Sequence, residues 1–450
     1  MDELSLTSFK TTAGKGHKPR SDARTKRRSS ILHKDLAFLQ PRMRVFQPKG
    51  QEMGEAAARP VAEPRLLSHR LFALEKKPSL SALKEYCTQV VDPKIYPLCE
   101  SVCSNIPIYK SSGRHIDSLA IASALQDEWY HILLSGPGVF LLKGMYSDSL
   151  LDRSNRVFSS IIASEKSSSS SGGDHFAAAG NNDRIWNSFS KHCCADAASF
   201  MEYYSNPWLA LACDAWLGPA YRITAQVNVV KPGGKAQVCH RDYHLGFQTA
   251  ETAARYPRAV QVASQLLTLQ GAVAHTDMPL DSGPTRILPF SQLFEQGYMA
   301  FRLPEFNQYF LENYVSLPLE KGDGIFFNPA LFHAAGENVT TDLERCANLL
   351  QISSAFGKPM EAIDTLALVE RCWEGLMGKY EKEGLSKEVE TFVAAITEGY
   401  PFPTNLDKRP PAPGGMAPES EQDVVLRGLK EAWTSGAVMQ VLRRMRADST

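Results

Sequence analysis

The sequence holds no Cys-x-x-Cys pair, no excess of either charge and no apolar run long enough to span a bilayer, and each absence removes a class of function. Nine cysteines, an odd number, are scattered from Cys87 to Cys372 without a framework. That pattern argues against a thiolate zinc site and suits reduced thiols in an intracellular, cytoplasmic setting. Lys and Arg together number 49, as do Asp and Glu, so no global field draws the chain to nucleic acid or an anionic membrane. Met1-Asp2-Glu3-Leu4 lacks the apolar core of a secretory signal. The expected partner is a small molecule, not a membrane or a nucleic acid.

What is there is 450 residues, 43% of them hydrophobic, enough for one large core or two modest ones. Residues 1–65 read as a disordered basic tail, polar and poor in periodic apolar positions. Its cluster Lys18, Arg20, Arg24, Lys26, Arg27 and Arg28 would suit a nuclear address or an anion-binding arm, although a solvated tail is the commoner outcome. Residues 66–400 are expected to form the main domain. Residues 401–450 are expected to form a Pro-rich link and one terminal helix over 419–446.

Within the main domain, Leu119, Ala122, Leu125, Trp129 and Leu133 recur at helical spacing, with Asp117 and Ser118 as caps. Gly136-Pro137-Gly138 ends that helix, and residues 139–142 read as a buried strand. Residues 167–173 form a serine/glycine loop by composition. Asp174 to Trp186 mixes polar groups with aromatics, as a substrate loop or an ordinary surface loop would. The middle third alternates short apolar runs with Gly/Pro punctuation: 223–230, 266–273, 287–288, 325–327 and 347–352. That rhythm predicts a sandwich or small barrel. After residue 357 the pattern turns helical, over 362–380 and 387–396.

His-x-Asp on a strand puts an imidazole and a carboxylate on one face, two of the three donors of a facial metal site that leaves its other side open. The chain holds four such pairs: His33/Asp35, His115/Asp117, His240/Asp242 and His275/Asp277. The first lies in the expected tail, and Asp117 is more simply a helix cap. The other two both fit. A third ligand must come from a distant strand. His333 follows the strand at 325–327, then come a turn-rich stretch and Arg345 at the start of another strand. Read as a hairpin, this places His333 and Arg345 on neighbouring strands facing one cavity. A guanidinium is the cation that best forks onto a carboxylate, and a surface pair with Asp342 or Glu344 is the ordinary use against which it is weighed.

At these residues the chain resembles the phytanoyl-CoA dioxygenase family of 2-oxoglutarate oxygenases. The matching features are Lys231-Pro232-Gly233, His240-Arg241-Asp242, Asp281-Ser282-Gly283-Pro284-Thr285 with Pro289 and Ser291, and Gly322-Asp323, Phe326-Phe327, His333, Gly336, Asn338 and Arg345. Their order and separations select His240/Asp242 over His275/Asp277, and the resemblance covers roughly residues 125–355. It implies a mainly β fold with flanking helices, a double-stranded β-helix or jelly roll of the cupin kind. It implies that His240, Asp242 and His333 bind Fe(II) and that Arg345 anchors 2-oxoglutarate, with O2 as the oxidant. Gln226 and Asn228 resemble polar positions that help bind cosubstrate or substrate. The family often has a hydroxyl residue after the distal histidine, whereas Ala334 and Ala335 follow His333; a second cosubstrate contact is then either lost or supplied elsewhere, by Thr285 or Thr268. Tyr243 and Phe247 are expected at the pocket mouth, and His244 either orients substrate or supports the ligands from behind, with a solvent-facing or hydrogen-bonded core place as the ordinary alternative.

The implied reaction is hydroxylation of a small organic substrate with release of succinate and CO2, with desaturation or ring closure as variants. Halogenation is disfavoured, because Asp242 fills the position a halide would take. Two other readings stand beside it: a cupin-like zinc or manganese isomerase, and a non-catalytic interaction protein working through its basic tail.

Overall fold

The computed structural model describes residues 69–114, 116–168 and 181–450. The expected basic tail with His33/Asp35, His115, and residues 169–180 of the expected loop region lie outside the described residues.

Among the described residues ten strands follow one another: β1 (Ser101–Cys103), β2 (Ile106–Lys110), β3 (Val139–Lys143), β4 (Asn182–Ile185), β5 (Arg222–Val230), β6 (Thr268–Ala274), β7 (Arg286–Leu288), β8 (Gly324–Phe327), β9 (Phe332–Ala334) and β10 (Arg345–Ser353). Eight form one sheet in the order β1-β2-β3-β8-β6-β10-β5-β4, and β7 pairs with β9 in a second, small sheet. Every pairing is antiparallel except β2 with β3. Around them lie α1 (Leu80–Cys87), α2 (Leu119–Leu134), α3 (Asp148–Ser168), α4 (Ser188–Ala195), α5 (Ala197–Tyr204), α6 (Pro207–Leu217), α7 (Ala250–Ala254), α8 (Arg258–Leu266), α9 (Gly297–Ala300), α10 (Pro304–Asn313), α11 (Thr365–Glu383), α12 (Lys387–Ile396), α13 (Glu421–Lys430) and α14 (Ser435–Asp448). The fold is therefore mixed helix and sheet, with more helix than the expectation of a mainly β chain allowed. Helices reach 21 and 19 residues, whereas the longest strands have 9. Among the described residues no helix is long and apolar enough to cross a membrane.

Side chains alternate across each strand, and the two faces of the large sheet differ in kind. One face carries Ile223, Ala225, Leu269, Val273, Phe326, Leu350 and Ile352 into a single core with residues of α2, α5, α6 and α11 to α14. Phe140 of β3 stacks between Trp129 and Phe326, at 4.8 and 5.4 Å. Each fully buried side chain of this size contributes about 1.5–3 kcal/mol. The opposite face carries Gln226, Asn228, Gln270, Ala272, Ala347 and Gln351, polar or small. Near β3 and β8 the gap toward the small sheet is filled by Leu141, Ile287, Leu319, Ile325 and Phe327. Near β5, β6 and β10 it is not filled. A cavity of about 410 Å³ remains.

The expected terminal helix is broken into α13 and α14. Ala432 takes a left-handed conformation (φ 51°), and the Trp433 N–H closes on the Gly428 carbonyl at 2.9 Å. Both helices bury apolar residues in the same core as the large sheet, so the last thirty residues are structural members of it.

Candidate metal centre

His240 and His333 face each other through a narrow backbone bridge. The His240 N–H donates to the His333 carbonyl at 2.9 Å, and the His333 N–H returns the bond at 3.0 Å. Directly opposed residues send their side chains the same way, and the two rings lie 4.4 Å apart. Asp242 is two residues beyond His240, on the same face, with its own N–H bonded to the Pro329 carbonyl. Asp242 Oδ1 lies 3.7 Å from His240 Nε2, and Oδ2 lies 3.6 Å from His333 Nε2. All three ligand atoms fall within 4.8 Å of one another.

Protonation is set by the other ring atoms. His240 Nδ1 bonds the Val238 carbonyl at 2.8 Å and His333 Nδ1 bonds the Leu331 carbonyl at 2.9 Å. A carbonyl only accepts, so each Nδ1 carries a proton, and Nε2 is the atom each ring turns inward toward an ion. Burial, with His333 beside it, holds His240 below its ordinary pKa and so in the neutral, ligating form. Burial works against the Asp242 charge, but the two imidazoles and Gln270 outweigh it and hold the carboxyl well below the usual range. Two imidazoles and one carboxylate on one side, with the cavity on the other, fit a divalent ion of borderline softness such as Fe(II).

Arg241, between the two ligands, points the opposite way and is fully buried. It donates to the Ser291 and Phe294 carbonyls at 2.6 and 2.8 Å and lies over the Tyr298 and Phe332 rings. The Ser291 hydroxyl in turn accepts the Phe332 N–H and donates to the Leu288 carbonyl. The His-x-Asp segment is thus pinned to the small sheet from behind.

Arg345 opens β10 on the cavity face of the large sheet, while His333 sits on β9 of the small sheet. The expected hairpin of neighbouring strands is not what brings them together: β9 pairs with β7, and β10 pairs with β5 and β6. The two residues approach one cavity from opposite walls. Arg345 is only 6% exposed, so a surface pair with Asp342 or Glu344 is ruled out. Its guanidinium donates to the Ser282 carbonyl at 2.9 Å and the Gly336 carbonyl at 3.4 Å. Those carbonyls are brought close by Gly283, whose φ of 73° and lack of a Cβ let the Gly336-Glu337 backbone pack against it. Among the described residues no carboxylate pairs with Arg345. A buried, uncompensated guanidinium is costly, and a carboxylate entering the cavity would relieve it. Burial and nearby Arg286 push its pKa down to about 10, which leaves it charged at neutral pH.

The other expected residues divide. Gln226, Asn228, Thr285 and Phe247 line the cavity, Phe247 at its rim with 49% exposure. Tyr243 and His244 are not among the lining residues: the Tyr243 hydroxyl is engaged by Ser353 and the Lys358 carbonyl, and His244 Nε2 by that same carbonyl. Thr268 is buried away from the cavity. His275 is a core histidine, held by Asn155 at 2.7 Å and Tyr203 at 2.9 Å. Arg184 and Trp186, from the aromatic stretch after residue 174, stand on the cavity wall with Gln237 and Arg302. Sequence reading does not single out Gln270 or Gln351, both on that wall; the available signal was an amide flanked by apolar residues in each strand.

The family model for phytanoyl-CoA dioxygenase (PhyH) matches residues 135–347. The dioxygenase andF of Emericella variicolor is 25% identical over 151 residues, 32% of this chain and 46% of that protein. The dioxygenase trt7 of Aspergillus terreus is 30% identical over 143 residues, 32% of this chain and 43% of that protein. The chain thus spans less than half the length of these curated relatives. Among solved structures, the non-heme alpha ketoglutarate dependent carbocyclase SnoK from nogalamycin biosynthesis aligns over 52% of this chain and 86% of its own, at 17% identity and a TM-score of 0.39. The segment matched by that family model, residues 135–347, is the one that holds His240, Asp242, His333 and Arg345.

Proposed function

We propose that the chain is an Fe(II)- and 2-oxoglutarate-dependent dioxygenase that hydroxylates a small organic substrate, built on a double-stranded β-helix whose walls are the two sheets. One observation carries this reading: His240, Asp242 and His333 converge at one wall of a cavity whose other wall presents buried Arg345, which has no carboxylate partner among the described residues. The match to the family model and the similarity to the dioxygenases andF and trt7 support it.

In this reading His240 Nε2, His333 Nε2 and an Asp242 oxygen hold the iron, which when bound supplies the activation of O2. The net change is 2-oxoglutarate, O2 and a C–H bond to succinate, CO2 and an alcohol. The protein's own contribution is placement. Arg345 takes the far carboxylate of 2-oxoglutarate in a forked, charge-assisted pair, with Gln226 and Thr285 beside it as further polar contacts. Asn228 and Phe247 border the space left for substrate. Phe327, Leu319 and Ala272 on the cavity wall keep its inner end apolar and limit water at the reacting carbon.

The test is succinate formation from 2-oxoglutarate in air by the iron-loaded protein, screened with candidate substrates, with Asp242→Ala as control. Substrate-stimulated, O2-dependent succinate that the control lacks is the expected result. Turnover needing neither O2 nor 2-oxoglutarate would point to a zinc or manganese isomerase instead. Loss of the activity on deleting residues 1–65 would move the working part to the basic tail.

A further inference from the structure

Gln270 of β6 and Gln351 of β10 stand directly opposite each other in the large sheet, so both side chains leave its cavity face. Both Nε2 groups donate to one atom, Asp242 Oδ2, at 2.5 and 3.3 Å. Their own Oε1 atoms are buried and have no hydrogen-bond partner among the described residues. An apolar pair at these positions would leave no such oxygens unsatisfied. What the amides supply, and apolar side chains cannot, is a pair of donors aimed at a single carboxylate oxygen. Among the described residues no group donates to the other oxygen, Oδ1, which lies toward His240 Nε2.

We propose that Gln270 and Gln351 form a paired amide clamp that fixes Asp242 as a one-oxygen ligand and reserves Oδ1 for the ion, an inference that rests on the metal reading above. A carboxylate free to present both oxygens can occupy two coordination positions. With Oδ2 committed to two amides, Asp242 occupies one, and the position it gives up stays available to a chelating cosubstrate and O2. The clamp also fixes the carboxylate plane, a torsion that is otherwise broad. Both glutamines act through Asp242 and are positioning residues. They differ in weight: Gln270 makes the shorter bond, so it carries more of the effect.

Co(II), a divalent ion with a visible d–d absorption, tests this in the metal-free full chain, compared with Gln270→Leu, Gln351→Leu and the double variant. Gln270→Met, unbranched and close in volume, stands in should the leucine variant not fold. The unaltered protein is expected to bind one Co(II). Gln270→Leu should bind it about 10- to 100-fold more weakly with a shifted d–d band, because the carboxylate is free to turn, and Gln351→Leu should show a smaller change in the same direction. A double variant with Co(II) affinity within twofold and an unchanged band would overturn the clamp. Weaker binding with an unchanged band would assign the glutamines to packing alone and overturn it too. Absence of Co(II) binding by the unaltered protein would remove the metal centre itself, and the clamp with it.

Discussion

His240 and His333 exchange backbone hydrogen bonds, so a shift of one residue in either segment would turn an imidazole out of the site. Arg345 is placed as firmly, by strand register with Val230 and by the Ser282 and Gly336 carbonyls. Its planar fork is the property the proposed role requires, which gives a direct prediction. Arg345→Lys keeps the charge but loses one of two parallel hydrogen bonds, and should raise KM for 2-oxoglutarate about 10- to 100-fold. At saturating cosubstrate kcat should change less, and an unchanged KM would refute the assignment. At this scale the sequence was informative where chemistry demands a rare combination: His-x-Asp, a distal histidine and an arginine at a strand start. It was uninformative for Tyr243 and His244, since proximity in sequence to Asp242 does not say which way a 3-10 turn points its rings. Gln270 and Gln351 were hidden for the converse reason, because apolar neighbours mask the one face on which they matter.

At the scale of elements, α3, α5 and the end of β6 meet around a buried polar cluster. His275 bonds Asn155 of α3 and Tyr203 of α5, and His192 of α4 bonds Ser199 at 2.9 Å. Burial, with His192 and Lys321 nearby, lowers the pKa of His275 to about 3. Burial lowers His192 to about 4, against an opposing pull from Asp196. Both histidines are therefore neutral in the fold, while in the unfolded chain they titrate near 6.5. As pH falls below 6.5 the unfolded state binds protons that the folded state refuses, and stability drops toward each folded pKa by up to about 1.4 kcal/mol per pH unit per group. Urea unfolding of the metal-free protein should give a lower midpoint at pH 5 than at pH 7.5, and His275→Gln should flatten that difference. A midpoint that does not move between these pH values would contradict it. Strand positions were legible element by element: residues 223–230, 325–327 and 347–352 coincide closely with β5, β8 and β10. Their pairing was not, because period-2 alternation assigns faces but not neighbours. A local hairpin therefore looked sufficient where the fold uses two separate sheets.

Across the whole molecule, the large sheet divides labour by face, holding the helical core on one side and the cavity on the other. Val424, Val425 and Leu429 of α13 and Val438, Met439 and Leu442 of α14 are buried in that helical core. At about 1.5–3 kcal/mol each, their sum is comparable to the 5–15 kcal/mol by which a domain is typically stable. Removing residues 419–450 should therefore abolish cooperative thermal unfolding of the metal-free protein; a truncated chain that unfolds at the original temperature would refute this. Sequence periodicity found these helices but not their membership of the core, because an amphipathic stripe names a buried face without naming what buries it. The central claim is that one ion and one dicarboxylate meet between His240, Asp242, His333 and Arg345, and it is tested most directly by anaerobic calorimetric titration of 2-oxoglutarate with and without Fe(II). One tight site is expected, which requires the metal, is lost in Asp242→Ala and is weakened in Arg345→Ala. Binding of equal strength with and without Fe(II), or binding indifferent to both substitutions, would contradict it.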